Sequence, residues 1–244
     1  MYLELSVFLL AFRTLIKIKG ENLKMKRIYN KVLALSALFA LLFVTPSFGG
    51  TTNVGFAVDL TSIDASGTET LNGNSTSSSK EHSHDVAIPS LFIEREADNG
   101  VRIGIDYIPV DGAMGEESRA DDDFGASGST SVTRKAKADL QDHITVYLEV
   151  PFGSSSFYGR LGAVSVTIAT DENLDSTGST YPDEDVMGFN VGIGTEREFG
   201  NNGFIKAALN YIDYEDIELT SSSSNKITAD ADRVGLQISI GKKF

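Results

Sequence analysis

The chain has 244 residues, a mean hydropathy of −0.07, 41% hydrophobic residues and a formal net charge of −13. That mean excludes a polytopic helical membrane protein, but not a transmembrane β-barrel, where only alternate strand residues meet lipid. The acidic balance excludes a nucleic-acid binder, which needs a basic surface to meet phosphates, and the lack of cysteine excludes a disulfide framework.

The charge is unevenly placed. Residues 1–49 hold seven Lys/Arg and two Asp/Glu, so the remainder carries −18. From Met25 the chain runs Met25-Lys26-Arg27, an apolar stretch from Val32 to Val44, and small residues at Ser47 and Gly49. A basic start, a short apolar core and a small-residue cleavage site predict a signal peptide over 25–49. The apolar run is 13 residues, short of the ~20 helical residues that span a bilayer. Residues 1–24 then read as an over-extended start or an unstructured leader.

Beyond Gly50 the sequence breaks into period-two segments separated by turn formers. Strands are expected at 52–62, 85–96, 101–107, 144–152, 156–168, 186–194, 205–211 and 234–244, the first, second and fifth alternating least cleanly. In 101–107, Val101, Ile103, Ile105 and Tyr107 share one face and Arg102, Gly104 and Asp106 the other. In 144–152, Ile144, Val146, Leu148, Val150 and Phe152 oppose Thr145, Tyr147 and Glu149. Met187, Phe189, Val191 and Ile193 oppose a Gly/Asn face, and Ile205, Ala207, Leu209 and Tyr211 oppose Lys206, Ala208 and Asn210. The last segment sets Val234, Leu236, Ile238, Ile240 and Phe244 against Gly235, Gln237, Ser239, Gly241 and Lys243. A helix would spread these apolar residues around all sides.

The connections alternate in length. Ala97–Gly100, Gly153–Ser155 and Gly200–Gly203 are short and rich in tight-turn residues. Those at about 64–83, 111–135, 169–185 and 215–230 are long, Ser/Thr-rich and acidic, with net charges of −2, −3, −6 and −3. Eight antiparallel up-and-down strands result, with long loops at one end and both strand termini at the other, the loop asymmetry of an outer-membrane barrel. A soluble barrel or β-sandwich would alternate too, because period two does not say which face is outside. The Gly-rich, oppositely charged second face favours an enclosed lumen, and the export signal agrees.

Phe157-Tyr158-Gly159-Arg160-Leu161-Gly162 and the closing run from Val234 to Phe244 resemble the small bacterial outer-membrane barrels of the OmpA-transmembrane, OmpX, OmpW and opacity-protein group. The resemblance covers roughly 50–244 as a pattern rather than a strict motif. It implies a monomeric eight-stranded barrel surrounded by outer-membrane lipid and lipopolysaccharide. It also implies insertion by the barrel-assembly machinery, with Phe244 as the assembly signal. Two departures stand out. Lys242 occupies a position that is often aromatic or apolar, and without Trp the interfacial girdle falls to Tyr107, Phe152, Phe157 and Tyr211.

An eight-stranded lumen is just wide enough to be filled by side chains. Arg102, Asp106, Glu149, Arg160, Glu196 and Lys206 are the expected interior ion-pair network, neutralising one another as a structural plug. Asp121-Asp122-Asp123 and Asp183-Glu184-Asp185 lack the spaced ligands and turn glycine of a calcium loop and read as solvated surface. His82 and His84 share a strand face, yet nothing marks a third ligand or a serine they would activate. His143 carries no motif. The expectation is therefore a structural or surface-interaction barrel, not an enzyme, with no cofactor and no metal. A narrow porin-like channel is the alternative, and an outer-rim lipid-modifying enzyme the more distant one.

Overall fold

A computed structural model describes residues 50–70, 77–122, 131–173, 180–222 and 224–244. The expected signal peptide, the leader before it and Asp123 lie outside the described residues, as do the side chains of Asp121 and Asp122. The strands are β1 (Thr51–Thr70), β2 (Ser77–Glu96), β3 (Arg102–Tyr107), β4 (Gly112–Asp122), β5 (Ser131–Pro151), β6 (Phe157–Asn173), β7 (Glu184–Phe199), β8 (Gly203–Tyr214), β9 (Ile217–Thr220) and β10 (Lys226–Lys243).

All pairings are antiparallel, and β1 pairs with β10, so the sheet closes on itself. The ten strands make eight walls. β3 and β4 both pair with β5 and form one interrupted wall, as β8 and β9 do against β10. The three short turns carry positive φ at Gly100, Gly153, Gly200 and Asn202, the backbone requirement their sequences met.

The break after β3 has a local cause. Leu91 pairs with Tyr107, so the same register sets Pro89 opposite Pro109. Neither proline has an N–H to donate, and the β2–β3 ladder stops below them. Above that level β2 is paired to β1 and β4 to β5.

The long connections differ from expectation. Much of the stretches read as loops at 64–83, 111–135 and 215–230 is paired strand, and 169–185 is strand at its two ends, since β1 reaches Thr70, β2 starts at Ser77, β4 spans Gly112–Asp122, β6 runs to Asn173, β7 starts at Glu184 and β10 begins at Lys226. Ser- and Thr-rich strands exposed to water on their outer face carry no apolar alternation to announce them, but their ladders continue nonetheless.

Burial decides which face is which. The exposed large apolar residues ring the turn half of the barrel, including Val54 and Phe56 of β1, Leu91 and Ile93 of β2, Leu161 of β6, Leu209 of β8 and Ile238 and Ile240 of β10. A continuous exposed belt of this kind cannot face water. On β10 it runs outward from Ile240 to Val234, roughly 20 Å along the strand, before Asp232 ends it. Phe152, Phe157 and Phe199 mark its turn-end edge, while Tyr107, Phe189 and Tyr211 mark the other, with Phe189 and Tyr211 edge-to-face at 6.4 Å.

Above the belt the pattern inverts. On β6 the apolar parity passes from outward Leu161 to inward, buried Val164, Val166 and Ile168, with Ser165 and Thr167 facing out. These three belong to an internal apolar cluster with Ile63, Ile88, Ile108, Leu140, Val186, Ile212 and neighbours. Outside, at the same level, stand Asp64, Asp85, Asp139, Asp185, Asp213 and Asp232. The loop half of the barrel is therefore built like a water-soluble β-protein, and the turn half like a lipid-embedded one.

Candidate functional site in the barrel lumen

The inward face of the turn half holds a charged layer, and its partners come from six walls. Glu149 of β5 is fully buried and sits at the centre. It accepts from Arg102 Nε at 2.7 Å, from Arg160 Nη2 at 2.6 Å and from Lys206 Nζ at 2.9 Å. Lys206 of β8 also donates to Glu94 of β2 at 2.5 Å, and Arg102 donates to Glu196 of β7 at 2.6 Å. Asp106 accepts from Ser90 at 3.0 Å and from Gln237 Nε2 at 3.3 Å, and Gln237 Oε1 accepts from Arg160 at 2.8 Å. All six residues expected in the lumen thus lie in one connected network.

Sequence reasoning missed several of the acids. Glu94 is nearly inaccessible and binds Lys206, the Tyr147 hydroxyl and Asn53. Its strand alternates poorly because Ile88 and Phe92 point inward beside it while Leu91 and Ile93 point out. Asp59 and Arg233 pair across the closing seam between β1 and β10, and Lys243 closes the turn-end mouth against Glu96, Glu196 and Glu198. Lys242, one residue back along β10, faces out over the Phe244 ring.

Glycines shape this layer by close approach. A Cβ at Gly104 would lie 2.5 Å from the Tyr147 ring, and one at Gly194 would lie 2.4 Å from the Tyr158 ring. The space released by glycine is taken chiefly by these aromatic rings, and the long cations stack on them: Arg160 lies 4.2 Å from the Tyr147 centroid and Arg102 4.9 Å from that of Tyr158.

Arg and Lys side chains are tolerated in such a space only when fully paired, because an unpaired buried charge costs several kcal/mol, about 3–5 on removal of one partner. Three acids (Glu94, Glu149, Glu196) are ion-paired with three bases (Arg102, Arg160, Lys206), and Asp106 joins them through Gln237. Above it the internal apolar cluster forms a second tier. The layer pairs acids with bases and sets no hydroxyl nucleophile beside a histidine. Among the described residues no group of three or more His, Asp or Glu has metal-binding geometry.

The histidines lie apart from this layer. His82 and His84 stack at 6.4 Å on the exposed stretch of β2, far along the strand from the ionic network. His143 instead is buried, re-aimed by a β-bulge. Between Gln141 and Ile144 the register shifts at Asp142 (φ 51°), so that Leu140 and His143 both face inward.

No protein-family model and no curated protein matches the chain. Solved structures do. The chain is similar to the outer membrane protein OprG of Pseudomonas aeruginosa at 16% identity, covering 80% of this chain and 96% of that one, TM-score 0.46. Neisserial surface protein A is 13% identical over 78% and 97%, TM-score 0.35. The outer membrane protease OmpT of Escherichia coli is 9% identical over 82% and 99%, TM-score 0.50. With the lipid-facing belt and the closed ring, the fold is that of the small bacterial outer-membrane β-barrels.

Proposed function

We propose that this outer-membrane barrel is a structural or surface-interaction protein, a sealed and monomeric anchor that displays acidic hairpins at the cell surface. One observation carries this reading: the lumen is filled in two tiers, an ion-paired layer in the turn half and an apolar cluster above it. An ion entering from either end meets no continuous water path through both. Lipopolysaccharide and phospholipid surround the belt, and the assembly machinery reads Phe244, which pairs by its backbone with Thr52 at the closing seam.

Planar-bilayer recording tests it. The purified protein is expected to leave the bilayer at baseline, and the double variant Arg160→Ala with Lys206→Ala to leak. Steady conductance by the parent protein would replace this reading with a narrow solute channel. Turnover of lipid A by the parent, lost in His84→Ala, would instead reinstate the rim enzyme.

A further inference from the structure

The outward charges of the barrel wall are sorted by end. Among the described residues, those on the strands of the turn half are all cations, Arg95, Arg197 and Lys242, whereas aspartates stand outward at the level of the loop-half cluster. Arg197 and Lys242 are exposed, and neither has a carboxylate partner among the described residues. Lys242 Nζ lies instead 5.4 Å from the centroid of the Phe244 ring. The inward cations of the same half, Arg102, Arg160, Lys206 and Lys243, are all ion-paired.

The register brings Arg197 and Lys242 together. Gly203 of β8 pairs with Lys242 of β10 on one side and with Phe199 of β7 on the other, and Arg197 is the next outward residue above Phe199. The row of paired residues that starts at Arg197 passes through Ile240 and ends at Tyr107, so it climbs from the turn-end edge of the belt to its loop-end edge. Lys242, one outward step below Ile240, therefore comes level with Arg197. Their walls are two strand spacings apart, roughly 10 Å, within the combined reach of an arginine and a lysine side chain. The wall between them has no side chain at Gly203. A Cβ there would lie 2.8 Å from the Phe199 ring, so that ring lies across the glycine as an apolar floor. Exposed Ile205 and Ile240 continue the floor into the belt.

Two unpaired cations at the end of a lipid-facing surface fit an anion that carries an apolar body. Arginine offers a planar fork to phosphate oxygens and lysine a point charge beside it. We propose that Arg197 and Lys242 clamp the phosphate of an anionic phospholipid, a diacyl phosphodiester such as phosphatidylglycerol, in the leaflet at the turn end. Phe199 lies under its glycerol, and Ile205 and Ile240 line the start of its acyl chains. A soluble anion would leave this floor unused. The site rests on the barrel spanning a membrane and is independent of whether its lumen is sealed.

The test is native mass spectrometry of the full chain released from nanodiscs of equal phosphatidylcholine and phosphatidylglycerol. The parent is expected to retain phosphatidylglycerol in preference, and Arg197→Gln and Lys242→Gln each to lower that preference about fivefold. The double variant should show none. Lys242→Arg should keep it, as should Lys226→Gln, which removes an exposed cation at the loop end. Cold-SDS mobility of each variant reads loss of the barrel apart from loss of the site. If Lys242→Gln fails to assemble, Arg197→Gln alone must carry the fivefold loss. A parent without preference, a folded double variant that keeps it, or an equal loss in Lys226→Gln would overturn the site. So would a preference abolished by excess glycerol phosphate, which would assign the clamp to a soluble anion.

Discussion

The two halves of this barrel obey opposite rules. In the turn half Leu161 faces out and Arg160 faces in; six residues along the same strand, Val166 faces in and Thr167 out. The backbone is the same ladder throughout, so the difference comes from the medium outside the wall. Lipid selects apolar side chains on the outer surface, and the lumen, closed off from water, must then balance its own charges. Where the wall rises above the lipid, water outside selects Asp, Ser and Thr, and the apolar side chains turn in to form a core. The level at which the parity changes is the edge of the membrane.

The largest expected effect breaks the turn half from within. Glu149→Gln removes the carboxylate shared by Arg102, Arg160 and Lys206, and should cost about 3–5 kcal/mol in urea unfolding from vesicles. Next, paired arginine substitutions test the inversion itself. Leu161→Arg on the lipid face should cost about 2–4 kcal/mol. Thr167→Arg, outward on the same strand but above the belt, should stay within about 0.5 kcal/mol. Equal costs at both positions would erase the proposed membrane edge. Gly194→Val should overpack against Tyr158 and cost about 1–3 kcal/mol, seen as a lower temperature for loss of cold-SDS gel mobility.

The smallest effect sits on the acidic rim. Asp64, Asp232 and Asp213 lie side by side across β1, β10 and β8. Partial burial raises the Asp232 carboxyl above its ordinary value, and the neighbouring Asp64 and Asp213 charges raise it further. A raised folded-state pKa favours the folded form in acid, and that advantage is lost as pH rises through it. Asp232→Asn should therefore raise the unfolding midpoint slightly at neutral pH and leave it unchanged in acid, as a pair of thermal melts would show.

Much of the lumen was legible because clean alternation fixes a residue's face. Arg102, Glu149 and Lys206 sit on strands whose apolar set never changes sides within the lipid. Glu94 was hidden because Phe92 and Ile88, both inward, break the alternation of β2. On β6 the parity switch at Val164 blurred an otherwise regular strand, and on β5 the Asp142 bulge sent His143 inward against simple counting. The seam pair was not legible at all, because Asp59 of β1 and Arg233 of β10 meet only when the sheet closes.

Local chemistry alone determined the strand positions, the tight turns and the even number of walls, since period-two side-chain placement and positive-φ turn residues act over a few neighbours. Tertiary structure decided three other things: which face met lipid, how far the hairpins extended, and which acid met which base. Alternation is symmetric between the two faces of a sheet, and only closure into a ring makes one of them an interior. Once closed, the ring juxtaposes Glu94 with Lys206, 112 residues apart, through a register that no local pattern encodes.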